Sequence, residues 1–192
     1  PPNSPILKVR LASIPKVGIS ATGVTLNYRK ALEAAALVLT SAFLYWGGYE
    51  LQRLLLEFTE HIPGVNWFYL PSGLRVIIVL IAGIYGAAGI AISTVAIDLL
   101  YVPDLKGILL LLTAVASGGS AYLTLVILRI TGGLTKNLRG LTTQKLLKFS
   151  FAYAVINTLL HQVFWWTSGR ENSLLMVDVW PMFVGDLTGA VV

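Results

Sequence analysis

Residues 66–101 read NWFYLPSGLRVIIVLIAGIYGAAGIAISTVAIDLLY, and this stretch decides the fold. Three aromatic residues come first, a turn follows at Pro71-Ser72-Gly73, and an apolar run with two charged residues, Arg75 and Asp98, continues to Tyr101. The hydrocarbon core of a bilayer requires about 20 apolar residues of helix. The stretch is therefore either one long transmembrane helix or two short ones joined by a glycine-containing bend.

Composition places the whole chain in the membrane. Of its 192 residues 56% are hydrophobic and 12% are charged, whereas a soluble domain has about 25% charged residues. The net charge of +5 comes from basic residues beside apolar segments, which favours lipid headgroups over nucleic acid as the partner. The chain has no cysteine, which excludes disulfides, thiolate metal sites and cysteine nucleophiles. These features predict an all-α, polytopic transmembrane helical bundle.

Apolar segments predict about six crossings, at residues 31–56, 72–86, 87–101, 107–130, 146–168 and 179–192. Two segments contain basic residues and no acid, namely residues 1–30 and 129–148, and lysine and arginine concentrate on the cytoplasmic side of short loops. The two basic segments can both lie on the cytoplasmic side only if residues 72–101 cross the membrane twice. This places a bend near residues 86–89. We therefore expect a basic cytoplasmic arm at 1–30, a bundle at 31–192 and both termini in the cytoplasm. The apolar end of the chain predicts further residues after Val192.

Tryptophans lie near the outer ends that these segments predict. Amphipathic rings prefer the boundary between lipid and water. The pattern therefore predicts interface anchors at Trp46, Trp165, Trp166 and Trp180.

Arg75 is the most unusual residue of the opening stretch, because a cation on the first helical turn opposes the positive end of the helix dipole. Its charge therefore requires compensation. Two interpretations remain open. The side chain can extend outward to lipid phosphates, or it can face an anionic group, either a ligand or an internal acid such as Asp98 or Asp186.

Other polar side chains at membrane depth are candidate ligand contacts or internal ion-pair partners, since such residues usually face the protein interior. Asn157 and His161 are four residues apart and share one helix face. Asp98 lies one turn from the end of its segment. Asp186 is the deepest acid and the strongest single candidate, and Gly185 and Gly189 beside it predict a close-packing face.

Motifs for catalysis or for metal binding are missing from the sequence. It has no phosphate-binding glycine loop, serine elbow or paired-histidine motif. His61 and His161 lack the carboxylate spacing of a metal site. We expect a protein that is not an enzyme and that has no metal or other cofactor.

Two motifs resemble the MASE-type membrane-associated sensor domains of bacteria. WFYLPSGLR at 67–75 is similar to their tryptophan–proline–small–glycine signature, and WPMFVGDLTGAVV at 180–192 is similar to their closing motif; the resemblance covers about 66–192. It implies a sensory domain of the bacterial inner membrane, joined at a cytoplasmic C-terminus to a diguanylate cyclase, phosphodiesterase or histidine kinase. Arg75 departs from the family, and the chain contains no output domain. The family-defining residues would be Trp67, Pro71, Gly73, Gly185, Asp186 and Gly189.

Three functional hypotheses remain. The first is a sensor module that binds a ligand or a protein partner within the membrane and passes the signal to a cytoplasmic output. The second is a structural accessory subunit of a larger respiratory or photosynthetic complex. The third is a small transporter, which the glycine-broken helices allow but for which the sequence has no inverted repeat.

Overall fold

The computed structural model describes residues 21–62, 64–102, 105–135, 138, 140–167 and 175–192. Five α-helices lie within these ranges: α1 (Ala21–Leu56), α2 (Pro71–Tyr101), α3 (Gly107–Ile130), α4 (Thr143–Thr167) and α5 (Leu175–Val191). Between α1 and α2, a 3₁₀ helix (Glu57–Thr59) leads into an antiparallel pair of short strands, β1 (Glu60–Ile62) and β2 (Val65–Asn66).

Large apolar side chains cover the outside of the bundle, and polar side chains fill much of its interior. Phe43, Ile81 and Ile130 are each more than 75% exposed. The buried polar residues include Ser72, Arg75, Ser117, Ser120, Asn157, His161 and Asp186. Burying such groups inside an apolar exterior is typical of a protein whose solvent is lipid.

In the part of the chain that the structure describes, three helical segments are long and apolar enough to cross a membrane: Tyr28–Thr59, Pro71–Tyr101 and Gly107–Ile130. The predicted helical membrane protein is confirmed at this level. The six crossings and the cytoplasmic termini stay predictions.

Helix α2 is broken at Gly83, where φ is 56° and ψ is −128°. These angles match the first central residue of a type II′ turn, which glycine adopts without steric cost. A Cβ built on Gly86 would lie 2.8 Å from the carbonyl oxygen of Ile78, although eight residues of straight helix span about 12 Å. Residues 71–82 and 84–101 are therefore two arms folded back on each other. The bend predicted near residues 86–89 lies at Gly83, since there the backbone needs a positive φ, whereas Gly89 is a packing position against α1.

Residues 67–70 enter the bundle as a non-helical segment that lies on α5. The backbone N–H of Tyr69 donates to the carbonyl oxygen of Gly185 at 3.1 Å. A Cβ on Gly185 would overlap the carbonyl oxygen of Asn66, and a Cβ on Gly189 would overlap that of Tyr69. The close-packing face predicted at Gly185 and Gly189 therefore holds this segment, and α2 begins at Pro71 deep in the bundle.

The side chain of Gln52 satisfies the backbone of this entering segment from the side of α1. Its Nε2 donates to the carbonyl oxygen of Phe68 at 2.9 Å, and its Oε1 accepts from the N–H of Leu70 at 2.9 Å. Gln52 is itself buried. Non-helical backbone is tolerated at membrane depth only where protein groups or water satisfy it, so Gln52 and Gly185 together make this entry possible.

The helices pack in chain order, and α5 returns to α2. An apolar core with Val76, Val79, Ile90, Leu125 and Phe149 joins α2, α3 and α4. Helix α1 begins at Ala21, so residues 21–30, predicted to belong to the basic arm, form its first turns. Residues 1–20 of that arm lie outside the described ranges.

Candidate functional site

Arg75 is 4% exposed and lies inside the bundle. Its Nε donates to the hydroxyl of Tyr45 at 2.9 Å, and one Nη donates to the hydroxyl of Tyr153 at 3.2 Å and to Oδ1 of Asn157 at 3.5 Å. The second Nη donates to Tyr45 and to Oγ of Ser117, the latter at 3.4 Å. The interpretation in which Arg75 extends outward to lipid phosphates is wrong, because its side chain is buried in the bundle and hydrogen-bonds to Tyr45 and Tyr153.

The guanidinium has no donor left for an anionic ligand. It carries five N–H groups, and five hydrogen bonds to the neighbouring side chains engage them. Its central carbon also lies 5.1 Å from the ring centre of Tyr45 and 5.3 Å from that of Tyr69, within the range of a cation–π attraction. The sequence left two anionic partners for Arg75 open, a ligand and an internal acid, and this geometry favours the internal acid.

That acid is Asp186, which is 2% exposed. One carboxylate oxygen accepts from Oγ of Ser72, and the other accepts from Nδ2 of Asn157 at 2.7 Å. Asn157 also accepts from Arg75 and from Oγ of Ser120, the latter at 2.7 Å. Arg75 and Asp186 form no direct ion pair among the salt bridges of the described residues. The amide of Asn157 connects the two charges instead.

The first turn of α2 adds a second source of stabilisation for the carboxylate. Ser72 lies at the N-terminus of this helix, where backbone dipoles favour negative charge. Asp186 on α5 therefore faces a hydroxyl donor and the positive end of a helix. The negative charge of Asp186 compensates for the positive end of the helix dipole. It also compensates for the guanidinium of Arg75, which the dipole alone would destabilise.

His161 extends the network along α4. Its Nδ1 lies 2.9 Å from the carbonyl oxygen of Asn157, and its Nε2 lies 3.2 Å from Oγ of Ser117. A carbonyl oxygen can only accept, so Nδ1 carries the proton and Nε2 of the neutral ring accepts from Ser117. Ser117 thereby links His161 to Arg75.

A cavity of about 70 Å³ opens beside this network, lined by Tyr69, Arg75, Thr94, Asp98, His161 and Asp186 among others. A second cavity of about 230 Å³ shares Tyr49, Gly64, Asn66, Tyr69 and Val102 with it and forms a vestibule. A water molecule needs roughly 10–15 Å³ of such volume. The inner cavity therefore has room for several waters or for one small molecule.

The structure brings the candidate residues from four parts of the chain into one region. Arg75, Asp98, His161 and Asp186 line the inner cavity, and Asn157 joins two of them. Sequence reasoning missed five residues that form hydrogen bonds in this network: Tyr45, Ser72, Ser117, Ser120 and Tyr153. Tyr153 could have been found, because it precedes Asn157 by four residues on the face that carries His161.

The tryptophans divide between the surface and the interior. Trp166 and Trp180 are more than 60% exposed, as interface anchors require, and Trp46 is half-buried with its Nε1 donating to Glu50 at 3.1 Å. The prediction for Trp165 is wrong, since it is 3% exposed and packs with Val65 and Met182. Adjacent helix positions point about 100° apart, so only one of the two neighbouring rings faces outward.

Comparisons of the chain with protein-family models, with curated proteins and with solved structures find no match. The resemblance to MASE-type sensor domains therefore stays a prediction.

Proposed function

We propose that this chain is a non-catalytic sensory module of the MASE type, which binds a small polar molecule within the membrane and passes the signal to a cytoplasmic output or protein partner. The observation that carries the proposal is the cavity of about 70 Å³ beside the buried Arg75 network. A cavity lined by ionisable side chains inside an apolar exterior is costly unless it serves a ligand, an ion path or a bound water.

The place of the cavity connects binding to helix packing. Tyr69 belongs to the segment that lies on α5, and Asp186 belongs to α5 itself; both line the cavity. A ligand between them contacts two elements whose relative position it can change. Only a ligand with different affinities for two packings shifts their populations, and contact with both elements provides that difference.

The proposal includes the topology of six crossings in the bacterial inner membrane, with both termini in the cytoplasm. The first arm of α2 is about 18 Å long, shorter than a hydrocarbon core of about 30 Å. Residues 65–69, if extended at about 3.3 Å per residue, would add about 16 Å, since Leu70 already has helical backbone angles. The second crossing is thus a discontinuous element, of the kind that membrane proteins use at ligand sites.

The test is a thermal-unfolding screen of small polar molecules on the purified protein, comparing it with Thr113→Met. Thr113 lines the cavity, is buried and donates its hydroxyl to the carbonyl oxygen of Leu109, so methionine there fills space and removes no hydrogen bond of Arg75. A ligand at 100 times its Kd stabilises the folded state by about 2.7 kcal/mol, a rise in Tm of about 5 °C or more for a chain of this size. We expect this shift in the unmodified protein and its loss in Thr113→Met.

The matched control is Thr131→Met, a same-type change at an exposed position after α3, which should keep the full shift. A shift that persists unchanged in Thr113→Met would place the ligand elsewhere and contradict the proposal.

The alternative is an accessory subunit of a larger membrane complex. Helix α1 favours it, because it is the least covered of the three apolar helices, with Leu39, Phe43 and Leu54 facing outward. Such a face can pack on a partner helix as well as on lipid. Co-migration of the native protein with a multisubunit complex, together with no ligand-induced shift in Tm, would favour this alternative.

A further inference from the structure

We infer that a groove on the outside of the bundle, along the contact between α4 and α5, binds one acyl chain of an anionic phospholipid, with the lipid phosphate at Lys148. The groove shares no described lining residue with the inner cavity, so this site goes beyond the proposed function. Three features carry the inference: a continuous apolar surface, its length, and a cation at one end of it.

The groove consists of two adjoining chambers between α4 and α5. The first has a volume of about 750 Å³ and is lined by apolar side chains together with Lys148 and Thr188. The second has a volume of about 240 Å³ and is lined by apolar and aromatic side chains together with Thr158. Phe151 lines the first chamber and Phe183 lines the second, and their ring centres lie 5.8 Å apart. The two chambers therefore meet at this pair of rings.

The groove is open toward the surroundings of the bundle. Five of its apolar side chains are between 45% and 64% exposed: Leu147, Phe151, Leu159, Trp180 and Val191. The hydroxyl of Thr188 is already satisfied, since it donates to the carbonyl oxygen of Val184 at 2.7 Å. The first chamber therefore offers apolar contact to an acyl chain, and Lys148 is its remaining polar side chain.

The length of the groove matches one leaflet of a bilayer. On α4 its lining runs from Leu147 to Leu159, a helical rise of about 18 Å. Half of a hydrocarbon core of about 30 Å is about 15 Å. An acyl chain that follows the groove from Lys148 therefore reaches the middle of the bilayer, as the chain of a phospholipid in one leaflet does.

Lys148 lies near the N-terminus of α4, at the end of the groove next to the α3–α4 connection. It is exposed, and its ammonium group forms no salt bridge with a described acid. The stem of a lysine can lie along an apolar surface while its charge stays at the boundary between lipid and water. Lys148 can therefore hold a phosphate while the acyl chain below it lies in the groove.

The surroundings of Lys148 favour a lipid with a net negative charge. Residues 129–148 contain five basic residues and no acid, and basic segments beside a membrane attract anionic lipids. Helix α4 has no acid in its first turn, so the positive end of its dipole is open to an external phosphate. Lys145 lies three residues before Lys148 on the same side of the helix and adds a second positive charge, while its Nζ donates to the carbonyl oxygen of Gly140 at 3.0 Å.

The experiment measures thermal unfolding of the delipidated protein in neutral detergent micelles with three additives: dipalmitoyl phosphatidylglycerol, dipalmitoyl phosphatidylcholine and inorganic phosphate. The first has acyl chains and a net negative charge, the second has the same chains without a net charge, and the third has the phosphate without a chain. Phosphatidylglycerol should raise Tm by several degrees, phosphatidylcholine should raise it clearly less, and phosphate should not change it.

Two variants test the two ends of the site. Lys148→Gln should weaken the apparent affinity for phosphatidylglycerol about fivefold, because it removes one positive charge near the membrane surface. Val191→Trp places a larger ring in the first chamber at a half-exposed position and should weaken the affinity for both lipids. The matched controls are Lys30→Gln at an exposed position of α1 and Ile130→Trp at the exposed end of α3, and both should keep the full phosphatidylglycerol shift.

Four results would overturn the inference. Equal stabilisation by the two lipids, or no shift with either, would exclude recognition of the negative charge. Equal effects of phosphatidylglycerol in Lys148→Gln and in Lys30→Gln would exclude Lys148 as the phosphate contact. Loss of the shift in Thr113→Met would place the lipid in the inner cavity. If a second copy of the chain covered the groove instead, Val191→Trp would lower the molecular mass measured by light scattering.

Discussion

Gly189→Ala is expected to lower the free energy of unfolding by about 3 kcal/mol, at the upper end of the range for overpacked interiors. The added Cβ would overlap the carbonyl oxygen of Tyr69 and crowd the backbone nitrogen of Leu70. These are backbone atoms, which cannot rotate away as the end of a flexible side chain can. The segment 67–70 would have to leave α5, and the entry of α2 would move with it. Equilibrium unfolding in mixed micelles measures the loss.

Gly119→Ala is the matched control. Gly119 lies inside α3, and a Cβ built there meets nothing within 4 Å. Alanine favours helix over glycine by up to about 1 kcal/mol, so this variant should be as stable as the unmodified protein or slightly more stable. Equal stabilities for Gly189→Ala and Gly119→Ala would contradict the packing of residues 67–70 on α5.

Arg75→Met should destabilise the protein by about 3–5 kcal/mol, the usual cost when one partner of a buried charge pair is removed. The change leaves the carboxylate of Asp186 in the interior with only Ser72 and Asn157 as partners. Asp186→Asn should also destabilise, because the guanidinium then lacks its balancing charge. The double variant should cost clearly less than the sum of the single ones, since neither charge remains unbalanced.

The control cycle uses Arg53→Met and Glu50→Gln, a partly exposed ion pair of the same charge type. Its side chains are 43% and 27% exposed, so solvent screens the pair and little coupling is expected. The coupling energy between Arg75→Met and Asp186→Asn should therefore exceed that between Arg53→Met and Glu50→Gln. Equal coupling energies in the two cycles would show that Asn157 does not link the two buried charges.

The sequence indicated the main parts of this architecture for physical reasons. The lengths of the apolar runs and the low charge predicted the helices, because the thickness of a bilayer sets the length of an apolar helix that spans it. The sequence predicted a bend within residues 72–101 but placed it near residues 86–89, whereas the structure has it at Gly83. Gly185 and Gly189 indicated close packing, but the sequence could not identify the non-helical segment 67–70 as the element that packs there.

The site was partly predictable. Arg75 requires compensation wherever it is buried, and the cost of an isolated carboxylate indicated Asp98 or Asp186 as its partner. Sequence spacing could not indicate that Asn157 would stand between them, because this depends on how α4, α5 and the first arm of α2 pack. Trp165 and Trp166 show the same limit, since composition places both at an interface while the helix rotation turns one of them inward.

Sidedness is the most direct test of the central claim that the chain is a membrane bundle of six crossings around this polar interior. The chain has no cysteine, so single cysteines can be labelled in intact cells with a membrane-impermeant maleimide without background. The account predicts that Glu57→Cys reacts from outside, and that Ser4→Cys and Leu141→Cys react only after permeabilisation. Reaction of Leu141→Cys from outside while Ser4→Cys stays protected would contradict it.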